Sequence, residues 1–134
     1  LPVNKPRYFM GGGLPDQIVA HVRMGIDLFD CVIPTRHARH GSLFVWNGEP
    51  MPERLLERDF CSVINIDNAP YREDDAPVDV HNDCLASQQY TKSYLHHLFA
   101  NKEILGLQIA TEHNVRFYQQ LMQLIRQGID EGIL

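Results

Sequence analysis

The chain has 134 residues, of which 44% are apolar and 22% charged, a size and balance that suit one domain with a sizeable core. Its net charge of −5 excludes a protein that binds nucleic acid through overall positive charge, but not one with a local basic patch. No apolar run is long enough to cross a membrane as a helix, and the three scattered cysteines (Cys31, Cys61, Cys84) make no disulfide framework, so a reducing cytoplasm is the expected setting.

Taken in chain order, Arg7-Tyr8-Phe9-Met10 is short, aromatic and closed by three glycines, the pattern of a strand meeting a sharp turn. Glycines there serve either a plain strand-to-helix turn or close approach of a ligand to the backbone. Leu14-Pro15-Asp16 opens a helix with Ile18, Val19 and Val22 on its apolar face, and Gly25 ends it. Leu28 to Ile33 reads as a second strand, giving a βαβ unit whose strands are parallel and adjacent. Within it, Asp30 among Phe29, Cys31, Val32 and Ile33 is costly unless it lies at the strand end, is paired, or is functional. Pro34 stops the strand, and a loop with Arg36, His37, Arg39 and His40 follows. By composition that loop is either a solvated segment with a capping aspartate or a contact for phosphates and bases.

Further on, Ser42 to Glu49 is a strand ending in an Asn47-Gly48 hairpin turn, Glu53–Arg58 makes one helical turn, and Phe60–Ile66 is another strand. Residues 67–83, with five aspartates, one glutamate and two prolines, form a loop. The chain is then helical to its end. One apolar face carries Tyr90, Tyr94, Leu95 and Leu98, a second helix starts at Asn101, and a third runs from about Asn114 with Val115, Tyr118, Met122, Ile125 and Ile129 at 3–4 spacing. Gly132 is the stop.

The run Phe29-Asp30-Cys31-Val32-Ile33-Pro34-Thr35-Arg36-x-x-Arg39-x-Gly41 closely resembles the signature of the tRNA-guanine transglycosylases. The resemblance extends over nearly the whole chain, from Lys5-Pro6-Arg7-Tyr8-Phe9-Met10-Gly11-Gly12-Gly13 and Gly25-Ile26-Asp27 to Ser93–Leu98, Glu103–Gly106 and His113-Asn114. It implies an α/β fold, the C-terminal part of a (β/α)8 barrel of roughly 250 residues or more, with an inserted small β/α subdomain and C-terminal helices. On this reading the chain is the C-terminal portion of a longer enzyme. Residues 1–41 are the last βαβ part of the barrel, 42–100 the inserted subdomain and 101–134 the C-terminal helices. The stretch from 46 to 63 looks longer than in the family and has no assigned role.

The resemblance also implies an activity, the exchange of guanine at the wobble position of a GUN anticodon for a 7-deazaguanine (preQ1 or queuine) in queuosine biosynthesis. Asp30 would be the nucleophile at C1′ and form a covalent aspartyl-ribosyl intermediate. A carboxylate with a reference pKa of about 4 needs no activating base, and it stabilises an oxocarbenium-like centre before trapping it. Met10, Gly11 and Tyr8 would line the base site, with Met10 a soft surface against the purine, and strand packing the competing role for Tyr8. Thr35, Arg36 and Arg39 would contact tRNA, arginine being suited to bidentate grips on phosphates and base edges. The family's second essential aspartate falls outside these residues, so the chain alone is expected not to turn over, and a homodimer is expected. The alternative is a non-catalytic tRNA-binding or partner subunit.

Most relatives hold zinc through Cys-x-Cys-x-x-Cys and a later histidine. Here those positions fall on Asn82, Cys84, Ser87 and His113. Two thiolates are lost, so no cofactor is expected; the alternative zinc set is Cys84 and His113 with His81 or Asp83. In place of metal, apolar packing of Trp46, Phe60, Val63, Ile64 and Ile66 is expected to hold the subdomain.

Overall fold

A computed structural model describes residues 2–134 as a mixed α/β chain with two small sheets gathered on one long helix. β1 (Tyr8–Met10) and β2 (Leu28–Asp30) pair in parallel, joined through α1 (Pro15–Arg23). Pro15 stands in the first turn of α1, where a missing N–H costs nothing, and Gly25 follows the helix at φ +88°, a conformation glycine adopts without strain. This βαβ unit matches the expectation from the sequence.

The segment after Asp30 does not. β2 stops at Asp30 rather than at Ile33, and Val32 is 61% exposed. Ile33–Arg39 is a helix, α2, where a loop was expected. Pro34 lies in its first turn, so the same residue that cannot continue a sheet is well placed to start a helix. Its first turn closes with the Arg36 N–H donating to the Val32 carbonyl at 2.8 Å.

β3 (Ser42–Trp46) and β4 (Cys61–Asn65) form an antiparallel pair. They are not joined by a tight Asn-Gly turn. Instead, Asn47 organises a long connection: its N–H donates to Phe60 O, its Nδ2 to Asp59 O, and its carbonyl accepts from Arg54 Nη2. Gly48 (φ +141°) leaves the space that the Arg54 guanidinium fills. A 3-10 turn, Pro52–Leu56, drops Pro52 and Leu55 into the core beside Phe60 and Trp46. The long 46–63 stretch therefore contributes Trp46, Pro52, Leu55 and Phe60 to the hydrophobic interior.

Residues 67–83 contain a second 3-10 turn, Ala69–Glu73, and otherwise lack regular structure. α3 (Leu85–Gln89) and α4 (Lys92–Ala100) follow; the Thr91 hydroxyl caps α4 by accepting from Tyr94 N–H at 3.1 Å. The two final helices expected from the sequence are one, α5 (Ile104–Asp130, 27 residues). It is continuous through His113-Asn114, and Gly132 follows it at φ +72°.

α5 borders two apolar clusters. Ile109 and Ala110 pack with Leu43, Ile66, Val78, Leu95 and Leu98. Phe117, Leu121 and Ile125 pack with Phe44, Trp46, Leu55, Phe60 and the Ile18–Val19 face of α1. Aromatic rings meet at the centre of the second cluster: Phe117 lies 4.3 Å from Trp46 and 5.6 Å from Phe44, centroid to centroid. The buried face of α5 is thus 117-121-125, and Val115 and Ile129, expected inside, are exposed. Val63 is exposed as well, so β4 contributes less to the interior than expected.

Candidate active site and the polar cluster behind it

The parallel register sets Met10 directly against Asp30. Both are the last residues of their strands, both are exposed (Met10 by 73%), and Gly11 N–H donates to Asp30 O at 3.2 Å. The glycine turn and the aspartate, about twenty residues apart in sequence, are thereby neighbours at the C-terminal ends of two parallel strands, where α/β folds place their chemistry. The turn lies close to β2: a Cβ added to Gly13 would fall 2.2 Å from Cys31 Sγ. Only glycine permits that approach.

Among the described residues the ion pairs are Arg54–Glu57, Lys92–Asp74 and Arg116–Asp83, so Asp30 is not tied to Arg36 or Arg39. Its carboxylate acts on Tyr8 instead. Hydrogen bonding with Asp30 raises the Tyr8 phenol above its ordinary pKa, with smaller contributions from burial and from the negative charge of Asp30.

Arg36 and Arg39 are exposed on α2, and Arg39 borders a groove between α2 and α5 that also touches Thr35, Leu107, Gln108 and Thr111. Thr35 is half-buried, its hydroxyl donating to Val32 O at 3.3 Å. The two histidines of this helix divide: His40 is exposed, while His37 turns inward and stacks on Phe44 at 5.1 Å. Burial, then the nearby charges of Arg36 and His40, lower the His37 pKa.

Behind this region is a polar cluster that sequence reasoning treated only as a degraded metal site. In the β3–β4 ladder, bonds at Gly41–Ile66 and Asn47–Phe60 set the alternation, so Ser42, Phe44 and Trp46 direct their backbone groups away from β4. Side chains satisfy that free edge. Asn114 Oδ1 accepts from Phe44 N–H (3.0 Å), and Asp79 Oδ2 accepts from Trp46 N–H (2.9 Å). Asn114 Nδ2 donates to Ser42 O (2.9 Å) and to Pro34 O (3.0 Å). His113 Nε2 lies 2.7 Å from Phe44 O. His113-Asn114 thus binds the N–H and the C=O of one residue, as a neighbouring strand would.

A carbonyl oxygen can only accept, so His113 Nε2 carries the proton and Nδ1 of the neutral ring is an acceptor. It receives the Ser87 hydroxyl at 2.6 Å, and Asn82 Nδ2 lies at 3.4 Å. Burial lowers the His113 pKa, outweighing the Phe44 bond and the charge of Asp79, which raise it. Asn82 is held in turn, with Oδ1 accepting from Cys84 N–H at 3.0 Å and Nδ2 donating to His113 O at 3.1 Å.

These residues do not fit the tetrahedral zinc site common in the family. The histidine nitrogen free to bind metal is occupied by a hydroxyl, and the one cysteine turns elsewhere, its Sγ 3.6 Å from Glu112 Oε1. The alternative set fails as well: Asp83 is gripped by both Nε and Nη2 of Arg116. No three His, Cys, Asp or Glu residues among those described are grouped to hold a metal.

The sequence model of the family described as "Queuine tRNA-ribosyltransferase" matches residues 1–134. Curated proteins named queuine tRNA-ribosyltransferase are similar over 98% of this chain: 51% identical in Vibrio parahaemolyticus, 50% in Actinobacillus succinogenes and 49% in Mannheimia succiniciproducens. The chain belongs to this family. It spans 31% of the length of those relatives.

Proposed function

We propose that the chain carries the nucleophilic strand and the tRNA-contacting helix of a tRNA-guanine transglycosylase, as the C-terminal part of a (β/α)8 barrel divided at about residues 41 and 100. The observation that carries this reading is the exposed Asp30 carboxylate at the end of β2, in register with exposed Met10 and beside the glycine turn. The Asp30 carboxylate attacks C1′ of the target nucleoside, and the bond to N9 of guanine breaks with its electron pair going to the departing base. A 7-deazaguanine then attacks C1′ from the opposite side and expels the carboxylate, so two inversions give net retention. The proton gained by guanine and the proton lost by the incoming base are handled by groups beyond these residues.

Exposed Arg36 and Arg39, on one helix three residues apart, supply the positive charge for the anticodon stem or loop of a GUN tRNA. Met10 offers its thioether to the flat face of the base. The exposed apolar side chains of Leu28 and Val32 support a reading in which further barrel strands, and a second subunit, complete the enzyme in the cytoplasm.

The test is exchange of radiolabelled guanine into a GUN tRNA by this chain joined to the N-terminal two thirds of its Vibrio parahaemolyticus relative. The expected result is exchange and a denaturation-resistant protein–RNA adduct, both abolished by Asp30→Asn, with the 134-residue chain alone inactive. Exchange that survives Asp30→Asn removes Asp30 from the chemistry. A chimera that binds tRNA without exchange supports the partner-subunit reading instead.

A further inference from the structure

We infer that the segment from Asp79 to Ser87 is fastened to β3 and α5 by a closed hydrogen-bond lock centred on His113, and that this lock replaces a structural metal, so the chain folds without zinc. Three observations on the side chains converge on it. His113, Asn82 and Ser87 are completely buried, and the ring lies among acceptors and donors that use both its nitrogens. The cluster leaves nothing over: the buried side-chain atoms without partners among the described residues are His21 Nδ1 and His37 Nδ1, both elsewhere. A site awaiting a metal would instead show a buried nitrogen or thiolate with no partner.

The third observation is how the cluster distributes its bonds. Asn82 fixes the chain at Cys84 N–H and reaches α5 at His113 O, while Asp79 joins Trp46 N–H to His81 N–H. Gln120, two turns along α5, accepts from Trp46 Nε1 (3.1 Å) and donates to His81 O (3.2 Å). The segment and α5, which a zinc ion at positions 82, 84, 87 and 113 would cross-link, are therefore already cross-linked, and β3 with them, by amides, a hydroxyl, an imidazole and the Asp79 carboxylate. Hydrogen bonds are stronger inside a low-dielectric core than in water, and the Asp79 carboxylate is met there by two backbone N–H groups. The substitution of thiolates by Asn82 and Ser87 is then a coordinated exchange of one fastening for another. It holds whether or not Asp30 proves to be the nucleophile.

The test uses the 134-residue chain purified without added metal. Elemental analysis is expected to find sub-stoichiometric zinc, and a chelator is expected to leave Tm unchanged. Stoichiometric zinc whose removal lowers Tm would overturn the inference. Nitrogen NMR of the imidazoles supplies a second readout: His113 is expected as the neutral Nε2–H tautomer, and an Nδ1–H tautomer or a metal-bound shift overturns the lock. Ser87→Ala is expected to lower Tm by about 3–8 °C with no change in zinc content, whereas Ser87→Thr retains the hydroxyl and restores part of the loss. A Tm unmoved by Ser87→Ala would remove the serine from any fastening role.

Discussion

Asn114 should be among the most costly single truncations outside the aromatic core. It is completely buried and makes three hydrogen bonds to backbone that belongs to two other elements, β3 and the start of α2. Asn114→Ala leaves Phe44 N–H buried without an acceptor, which costs about 1–3 kcal/mol, and removes a donor from Ser42 O and Pro34 O at about 0.5–1.5 kcal/mol each. The expected loss is about 2–6 kcal/mol, toward the lower half because each carbonyl has a second lone pair. Urea unfolding followed by tryptophan fluorescence measures it directly, since Trp46 lies on the affected strand and packs on Phe117 of α5, and the m-value should not change. Asn114→Asp separates the two halves of the effect. It keeps an acceptor for Phe44 N–H but turns a carboxylate toward two carbonyls, and should cost at least as much as alanine. A loss under about 1 kcal/mol for Asn114→Ala, or an aspartate variant clearly milder than alanine, would refute the view that side chains secure the free edge of β3.

Phe117→Ala should cost about 3–5 kcal/mol, because its ring is fully buried between Phe44 and Trp46 and its removal leaves a cavity; thermal unfolding of the variant checks this. Tyr118→Phe deletes only the hydroxyl that donates to Gly13 O at 2.6 Å and keeps the edge-on packing against Phe44, so a loss of about 0.5–1.5 kcal/mol in the same measurement is expected. A larger loss would mean that the ring has moved. The pH dependence follows from His113, whose folded-state pKa lies below its unfolded value near 6.5. The unfolded chain binds the proton more readily, so stability is complete above about pH 6.5 and falls as the pH drops toward the folded-state pKa. Urea midpoints at a series of pH values from 7.5 to 5, roughly the range in which histidine titrates, should decline in the wild type and decline less steeply in His113→Gln, where the lowered pKa of His37 remains.

Local chemistry made the βαβ unit legible: glycines after one strand, a proline opening the helix, a glycine closing it, and then a second apolar run. Parallel pairing follows from that order, and with it the meeting of Met10 and Asp30. Pro34 was ambiguous in a way that local sequence does not resolve, because a residue that ends a strand also begins a helix well. The choice went to the helix because α2 packs Ala38 into the core and stacks His37 on Phe44. α5 was misread for a similar reason. The 115-118-122-125-129 and 117-121-125 rows both keep 3–4 spacing, and the large aromatic cluster opposite 117 and 121 decides which face turns inward. The polar lock was the least legible feature. Asparagine, serine and histidine carry no period, and the partners that join them across the fold, backbone groups and one another, lie about 26 to 80 residues away in sequence.

The same long helix connects the scaffold to the residues proposed for chemistry. Asn114 and Tyr118 lie four residues apart on α5, one turn, so their side chains emerge from the same side. Asn114 holds Pro34 O at the start of α2, and Tyr118 holds Gly13 O at the end of the glycine turn. Between those two anchors runs the chain that carries Asp30, with Arg36 and Arg39 just beyond. α2 and the turn are each bonded to one helix, which packs against both apolar clusters. α5 in turn is fixed to β3 through His113 and Asn114. Loosening the lock should therefore be felt at the glycine turn and at the arginine helix together, although none of its residues touches the place where a base would lie.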